Sequence, residues 1–136
     1  MDTNFSKKCQ ILVVDDDPAI LRCIDNITAK FGCQVLCAAS GKKALEIIEA
    51  AKGNIDLLLA DVMIPGMSGP QLAIAFKKIN PQIKIIFMSG SGNVESVMKE
   101  YTDIYGHLDY LPKPFTPEEL ISTIEEVMGK TRPALD

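Results

Sequence analysis

A doubly wound α/β fold around a five-stranded parallel sheet is predicted by three observations. Short apolar runs alternate with helix-period segments along nearly the whole chain. Three of those runs, in the first, third and fourth strand positions, are apolar nearly throughout, which suits strands covered on both faces. Each connection between runs is long enough to hold a helix, as a crossover between parallel strands requires.

The elements follow in order. Gln10 to Val14 is the first strand. After Pro18, residues Ile20, Leu21, Ile24, Ile27, Thr28 and Phe31 keep helical spacing, and Gly32 ends that helix. Gln34 to Ala38 is the second strand. Ser40 is the expected N-cap of a helix that buries Ala44, Leu45, Ile48 and Ala51. Asp56 to Ala60 is the third strand, with Asp56 expected to be solvated. Leu72, Ala75, Phe76 and Ile79 mark the third helix, between Pro70 and Pro81. Lys84 to Met88 is the fourth strand, and Val94, Val97, Met98 and Tyr101 mark the fourth helix. Asp109 to Leu111 is a short fifth strand. Thr116, Pro117 and Glu119 give the last helix an N-cap, a first-turn proline and a capping box. Leu120, Ile121, Ile124, Val127 and Met128 form its buried stripe, and Gly129 ends it. The expected strand order is 2-1-3-4-5, the flavodoxin-like arrangement. Residues 1–136 are expected to form one domain with its core at 9–128 and short tails.

Composition excludes several classes. The chain of 136 residues has a net charge of −4, without the basic clustering that nucleic acid or an anionic membrane surface attracts. No apolar run approaches the roughly 18 residues of a membrane span. No secretory signal precedes Cys9, Cys23, Cys33 and Cys37, so a cytoplasmic protein with reduced thiols is expected. Cys33 and Cys37 lack the partners of a zinc set, so buried or half-buried thiols are expected. The methionines at 63, 67, 88, 98 and 128 are read as core filler, and His107 as a surface or loop residue.

In such sheets ligands bind beyond the carboxyl ends of the strands, where the strand order reverses. Asp15, Asp16 and Asp17 leave the first strand there, and Asp61 leaves the third. Like charges about 4 Å apart cost about 4 kcal/mol per pair at an effective dielectric near 20, and a divalent cation relieves that cost. Only oxygen ligands are offered, so Mg²⁺ or a similar hard ion is expected. Asp17, just before Pro18, suits the N-cap of the first helix better than a metal. Ser89 follows the fourth strand, and Lys113 follows the fifth within Leu111-Pro112-Lys113-Pro114-Phe115. Acids, a hydroxyl and an ammonium at one edge suit a phosphoryl group held on a carboxylate. A cis bond before Pro114 would fix the direction of Lys113.

Four blocks in this order resemble the receiver domains of two-component response regulators: Val13-Val14-Asp15-Asp16, Asp61-Val62-Met63-Ile64-Pro65 with Gly69 beyond, Ser89-Gly90, and Lys113-Pro114-Phe115. The resemblance runs from about Cys9 to Met128. It implies Asp61 as phosphoryl acceptor, Asp16 as direct metal ligand, Asp15 as holder of metal-bound water, and the Met63 carbonyl as the remaining protein ligand of Mg²⁺ or Mn²⁺. It implies Ser89 as a switch hydroxyl, Lys113 as the lysine paired with the phosphoryl group, and Tyr110 as an aromatic switch. Met63 and Ser91 fall at the two positions that tune dephosphorylation. The implied donor is a sensor histidine kinase or histidine phosphotransfer protein. The implied output is a downstream protein bound by the fourth helix, fifth strand and fifth helix. Self-phosphorylation and autodephosphorylation are the only implied chemistry. Gly90 stands where the family commonly has Ala, and Asp103 to Asp109 departs from its common Gly-Ala-Asp pattern. Asp56 to Val62 and Met88 to Gly90 are similar to receivers of hybrid sensor kinases.

Three other readings stay open. A metal-dependent phosphatase would use Asp15 and Asp17 as an Asp-x-Asp pair, although Ala19 stands where a hydroxyl is expected shortly after. A flavin-binding domain would need a phosphate loop after the first strand, where three acids instead repel phosphate. A receiver-like scaffold would bind partners without phosphorylation.

Overall fold

The computed structural model describes residues 9–90 and 95–129; Ser91, Val94 and the tails at 1–8 and 130–136 lie outside the described residues. The elements are β1 (Gln10–Val14), α1 (Pro18–Ala29), β2 (Gln34–Ala38), α2 (Gly41–Ala50), β3 (Leu57–Asp61), β4 (Met63–Ile64), β5 (Met67–Ser68), α3 (Gly69–Ile79), β6 (Lys84–Ser89), α4 (Glu95–Tyr105), β7 (Asp109–Pro112) and α5 (Pro117–Gly129). The main sheet runs β2-β1-β3-β6-β7, with every pair parallel. With the small β4–β5 hairpin set aside, this is the expected 2-1-3-4-5 order.

Why β1, β3 and β6 read as continuous apolar runs is visible in how their side chains divide. Alternate residues of a strand face opposite sides. Leu12, Val14, Leu58, Ala60, Ile85 and Phe87 face one side, where Ala44 and Ile48 of α2, Leu72 and Phe76 of α3, and Met98 and Tyr101 of α4 cover them. Ile11, Val13, Leu57, Leu59, Ile86 and Met88 face the other, against Ile24 of α1 and Leu120, Ile121, Ile124 and Val127 of α5. Each such large aliphatic side chain contributes about 1.5–3 kcal/mol on burial. No polar position is affordable on either face, so the alternation typical of half-exposed strands is absent. Edge strand β2 is only partly covered.

The helix starts are chemically explicit. The Asp17 carboxylate accepts the Ala19 N–H at 2.9 Å and caps α1. Ser40 caps α2 by accepting the Lys43 N–H. Thr116 and Glu119 exchange hydrogen bonds of 2.8 and 3.0 Å in the expected capping box. A second box, Ser68 with Gln71, starts α3.

Several side chains depart from the sequence reading. The Met63 side chain is 61% exposed and Ile79 41% exposed, so neither fills the core. Met63 turns outward because it lies in the antiparallel β4–β5 hairpin beyond the end of β3, where nothing packs over it. Ile79 is the last residue of α3, one turn beyond Phe76, the last buried residue of that helix. Cys37 is exposed on edge strand β2, as is Cys23 on the outer face of α1, while Cys9 and Cys33 are buried. Asp56 is exposed but not merely solvated, since its Oδ2 accepts the Gln10 N–H at 2.8 Å. His107 is the exposed loop residue expected, with Nε2 3.2 Å from Asp109 Oδ1. Among the described residues, no helix is long and apolar enough to cross a membrane.

Candidate functional site

The strand order reverses between β2 and β3 on either side of β1, and the carboxyl ends of β1 and β3 bound the resulting crevice. Asp15 leaves β1 there, continuing the ladder through its N–H to the Ala38 carbonyl at 3.1 Å. It is fully buried. Its Oδ1 accepts the Asp17 N–H at 2.9 Å, and its Oδ2 accepts from Lys113 Nζ at 2.7 Å. Asp61 is the last residue of β3. Its Oδ1 accepts the Met63 N–H at 2.9 Å, and its Oδ2 also accepts from Lys113 Nζ at 2.7 Å.

Lys113 follows β7, and its N–H donates to the Ser89 carbonyl at 2.8 Å, extending the β6–β7 ladder by one rung. The Lys113–Pro114 peptide is cis, as the sequence allows. The lysine stem then carries its ammonium across the end of the sheet to both acids. Ser89, the last residue of β6, is 5% exposed.

Burial pushes the Asp15 carboxyl above the usual aspartate range, more than the hydrogen bond from Lys113 pulls it down. Burial also works against the Lys113 ammonium. The hydrogen bonds and charges of Asp15 and Asp61 outweigh it and hold the lysine above its ordinary value.

Gly69 also belongs to this edge. Its N–H donates to the Val62 carbonyl at 2.7 Å, and it packs so tightly on the Asp61 carbonyl that a Cβ would collide with it. The sequence signal was a glycine eight positions after Asp61, but only the fold gives it this contact.

Of the residues expected at the site, Asp15, Asp61, Ser89 and Lys113 come together at one sheet edge. Asp16 is exposed at the rim beside them. Asp17 faces α1 as its cap, so the Asp15–Asp17 pair that a phosphatase reading needs is divided between two tasks. Tyr110 lies on β7 opposite Phe87 and is 41% exposed, turned toward a shallow hollow beside Pro112, Pro114 and Glu118. Ser91 lies outside the described residues.

Residues 11–125 match the response regulator receiver domain family. The chain belongs to that family. This receiver is 34% identical over 128 residues to the sensor kinase CckA of Brucella abortus, an overlap covering 94% of this chain and 13% of that protein. It is 33% identical over 130 residues to the two-component response regulator ARR14 of Arabidopsis thaliana, covering 96% of this chain and 34% of that one. The receiver thus spans well under two thirds of either relative's length. Among solved structures, a receiver domain protein from Clostridium thermocellum superposes with a TM-score of 0.79 at 29% identity, covering 91% of this chain and 97% of that one. The BeF3-activated DrrB receiver domain superposes with a TM-score of 0.75 at 27% identity, covering 90% and 98%.

The receiver's donor set suits a hard divalent cation in kind and in charge. Asp15, Asp16 and Asp61 offer only oxygen, and against one ammonium they leave negative charge uncompensated. An ionised carboxylate has about four lone-pair sites, and two on each of Asp15 and Asp61 are taken by the bonds above. The rest remain for water or metal. Among the described residues, no three acidic, Cys or His side chains are gathered in metal-ligand geometry. Lys113 draws Asp15 and Asp61 toward itself, and Asp16 stands exposed, so gathering three ligands requires side-chain rotation.

Proposed function

We propose that residues 1–136 act as a single receiver domain that takes a phosphoryl group onto Asp61. The observation that carries this reading is the Lys113 ammonium, 2.7 Å from both Asp61 and the buried Asp15. A carboxylate oxygen of Asp61 attacks phosphorus, a P–O bond forms, and the P–N bond to the donor histidine breaks. The imidazole leaves with a proton. The donor is a sensor histidine kinase or a histidine phosphotransfer protein. Lys113 neutralises charge on the incoming oxygens, which places the effect at the transferred group rather than on the nucleophile alone. Asp15, Asp16, Asp61 and the Met63 carbonyl would hold Mg²⁺ or Mn²⁺, which when bound would supply further positive charge at the site. Water later attacks phosphorus, inorganic phosphate leaves, and the Asp61 carboxylate is restored. The domain turns over no other substrate.

Ser89, the last residue of β6, donates its hydroxyl to a phosphoryl oxygen on Asp61 in this reading. That bond draws on the phosphorylated state only, so it biases a two-state equilibrium. Tyr110, exposed on β7, is the side chain that turns inward in the favoured state. The surface that changes is the one formed by α4, β7 and α5, and a downstream protein reads it.

Incubation with acetyl phosphate and Mg²⁺ followed by intact mass tests this reading. One phosphoryl group is expected, absent without Mg²⁺ and absent in Asp61→Asn. A label that survives Asp61→Asn and disappears in Asp15→Asn would overturn it.

A further inference from the structure

The opposite end of the sheet carries a second pair of reactive side chains. The β1–β2 register pairs Gln10 with Gln34, and the Gln34 N–H donates to the Cys9 carbonyl at 2.9 Å. The ladder therefore extends one rung further and sets Cys9 opposite Cys33. Opposed residues of parallel strands project from the same face, and both thiols lie in the apolar cluster under α1 and α5. Neighbouring strands lie about 4.8 Å apart, inside the roughly 4.4–6.8 Å between Cα atoms that a disulfide spans.

Each of the two residues is only 8% exposed. A groove of about 760 Å³ nonetheless opens on Cys33, lined also by Gln10, which follows Cys9, and by Gly32, Asn54 and Asp56. The neighbouring Cys33 side chain favours the Cys9 thiolate, and Cys9 in turn pushes the Cys33 thiol up. Burial and the Asp56 carboxylate oppose ionisation of both.

We propose that Cys9 and Cys33 form a reversible oxidation site, converted to an intramolecular disulfide by hydroperoxides small enough to enter this groove. The Cys9 thiolate attacks the terminal peroxide oxygen and the O–O bond breaks. A sulfenic acid forms on Cys9, and the hydroxide or alkoxide that leaves takes up the proton Cys9 had lost. The Cys33 sulfur then attacks the Cys9 sulfur, the S–O bond breaks, and the Cys33 proton leaves with the hydroxyl as water. With hydrogen peroxide, two thiols lose two electrons and the oxidant becomes two waters. A small dithiol reverses the bond by exchange. The product ties β1 to β2 at the end of the sheet remote from Asp15 and Asp61, so the site is independent of phosphoryl chemistry.

The test uses the full chain with exposed Cys23 and Cys37 changed to Ser. After hydrogen peroxide treatment, denaturation and alkylation, the intact mass is expected to fall by two hydrogens with no alkyl group added. Peptide mapping is expected to join Cys9 to Cys33 within one chain, and dithiothreitol to restore two alkylatable thiols. Adding Cys9→Ser is expected to abolish the two-hydrogen loss while circular dichroism shows the fold retained. Two alkylated thiols after peroxide, a sulfinic acid on Cys9 beside a free Cys33, or a link found only between chains would overturn the proposal.

Discussion

Gly69 packs directly on the backbone carbonyl of Asp61, leaving no room there for a side chain. The contact fixes where β3 ends and α3 begins, and so where the Asp61 carboxylate sits. Gly69→Ala must push either α3 or Asp61 aside. A loss of about 1–3 kcal/mol in stability is expected, as for other overpacked sites. Acetyl phosphate labelling should slow on the order of tenfold or more, because small misplacements of a reacting group are costly. Gly90→Ala is the contrasting case. Among the described residues no atom crowds a Cβ there and its φ is not positive, so a gain of about 0.4–1 kcal/mol is expected. Urea unfolding of both variants checks the pair of signs.

Lys113 is the counter-charge for Asp15, whose side chain is 1% exposed. Lys113→Met leaves that carboxylate buried without its partner and facing Asp61. A loss of about 3–5 kcal/mol is expected in metal-free buffer. Adding Asp15→Asn should return most of it, since no unpaired buried charge remains. Mg²⁺ should also narrow the deficit of Lys113→Met. Denaturant midpoints with and without Mg²⁺ measure both effects, and a deficit unchanged by either would contradict this account of the pocket.

Burial, together with Tyr105 and Asp109, raises the Tyr101 phenol above its ordinary pKa. The folded state therefore keeps a proton that the unfolded chain releases near pH 10. Stability from this group is complete below about pH 10 and is lost as pH rises beyond it. Lys113, also raised, adds a loss in the same direction, while Lys77, lowered by burial and Lys84, acts against it. Tyr101→Phe keeps the ring that packs edge-on against Phe87 at 5.0 Å. Its urea midpoint should fall less steeply than wild type between about pH 10 and 11. Equal slopes would show that Tyr101 does not set the alkaline limit.

Much of this was legible before any coordinates, and for identifiable reasons. The strands stand out because β1, β3 and β6 are covered on both sides, which leaves no polar interruptions. The helix starts stand out because Asp17, Ser40 and Thr116 each answer free N–H groups by local chemistry alone. Asp15, Asp61, Ser89 and Lys113 could be brought to one edge because strand ends and strand order locate them. The unread parts depend on contacts that spacing does not encode. The β4–β5 hairpin is two residues per strand, too short for a periodic signal. Met63 is apolar yet exposed because the chain has already left the sheet there. The capture of two carboxylates by one ammonium depends on how far the Lys113 stem reaches, and the pairing of Cys9 with Cys33 depends on the β1–β2 register.

The central claim is that the phosphoryl group resides on Asp61. Borohydride reduces an acyl phosphate to an alcohol and so turns the modified aspartate into homoserine. After labelling with acetyl phosphate and Mg²⁺, borohydride reduction and peptide sequencing by mass spectrometry, homoserine is expected at position 61 and at no other aspartate. Homoserine at position 15, 16 or 17, or an unreduced Asp61 in protein that carries the phosphoryl mass, would contradict the account.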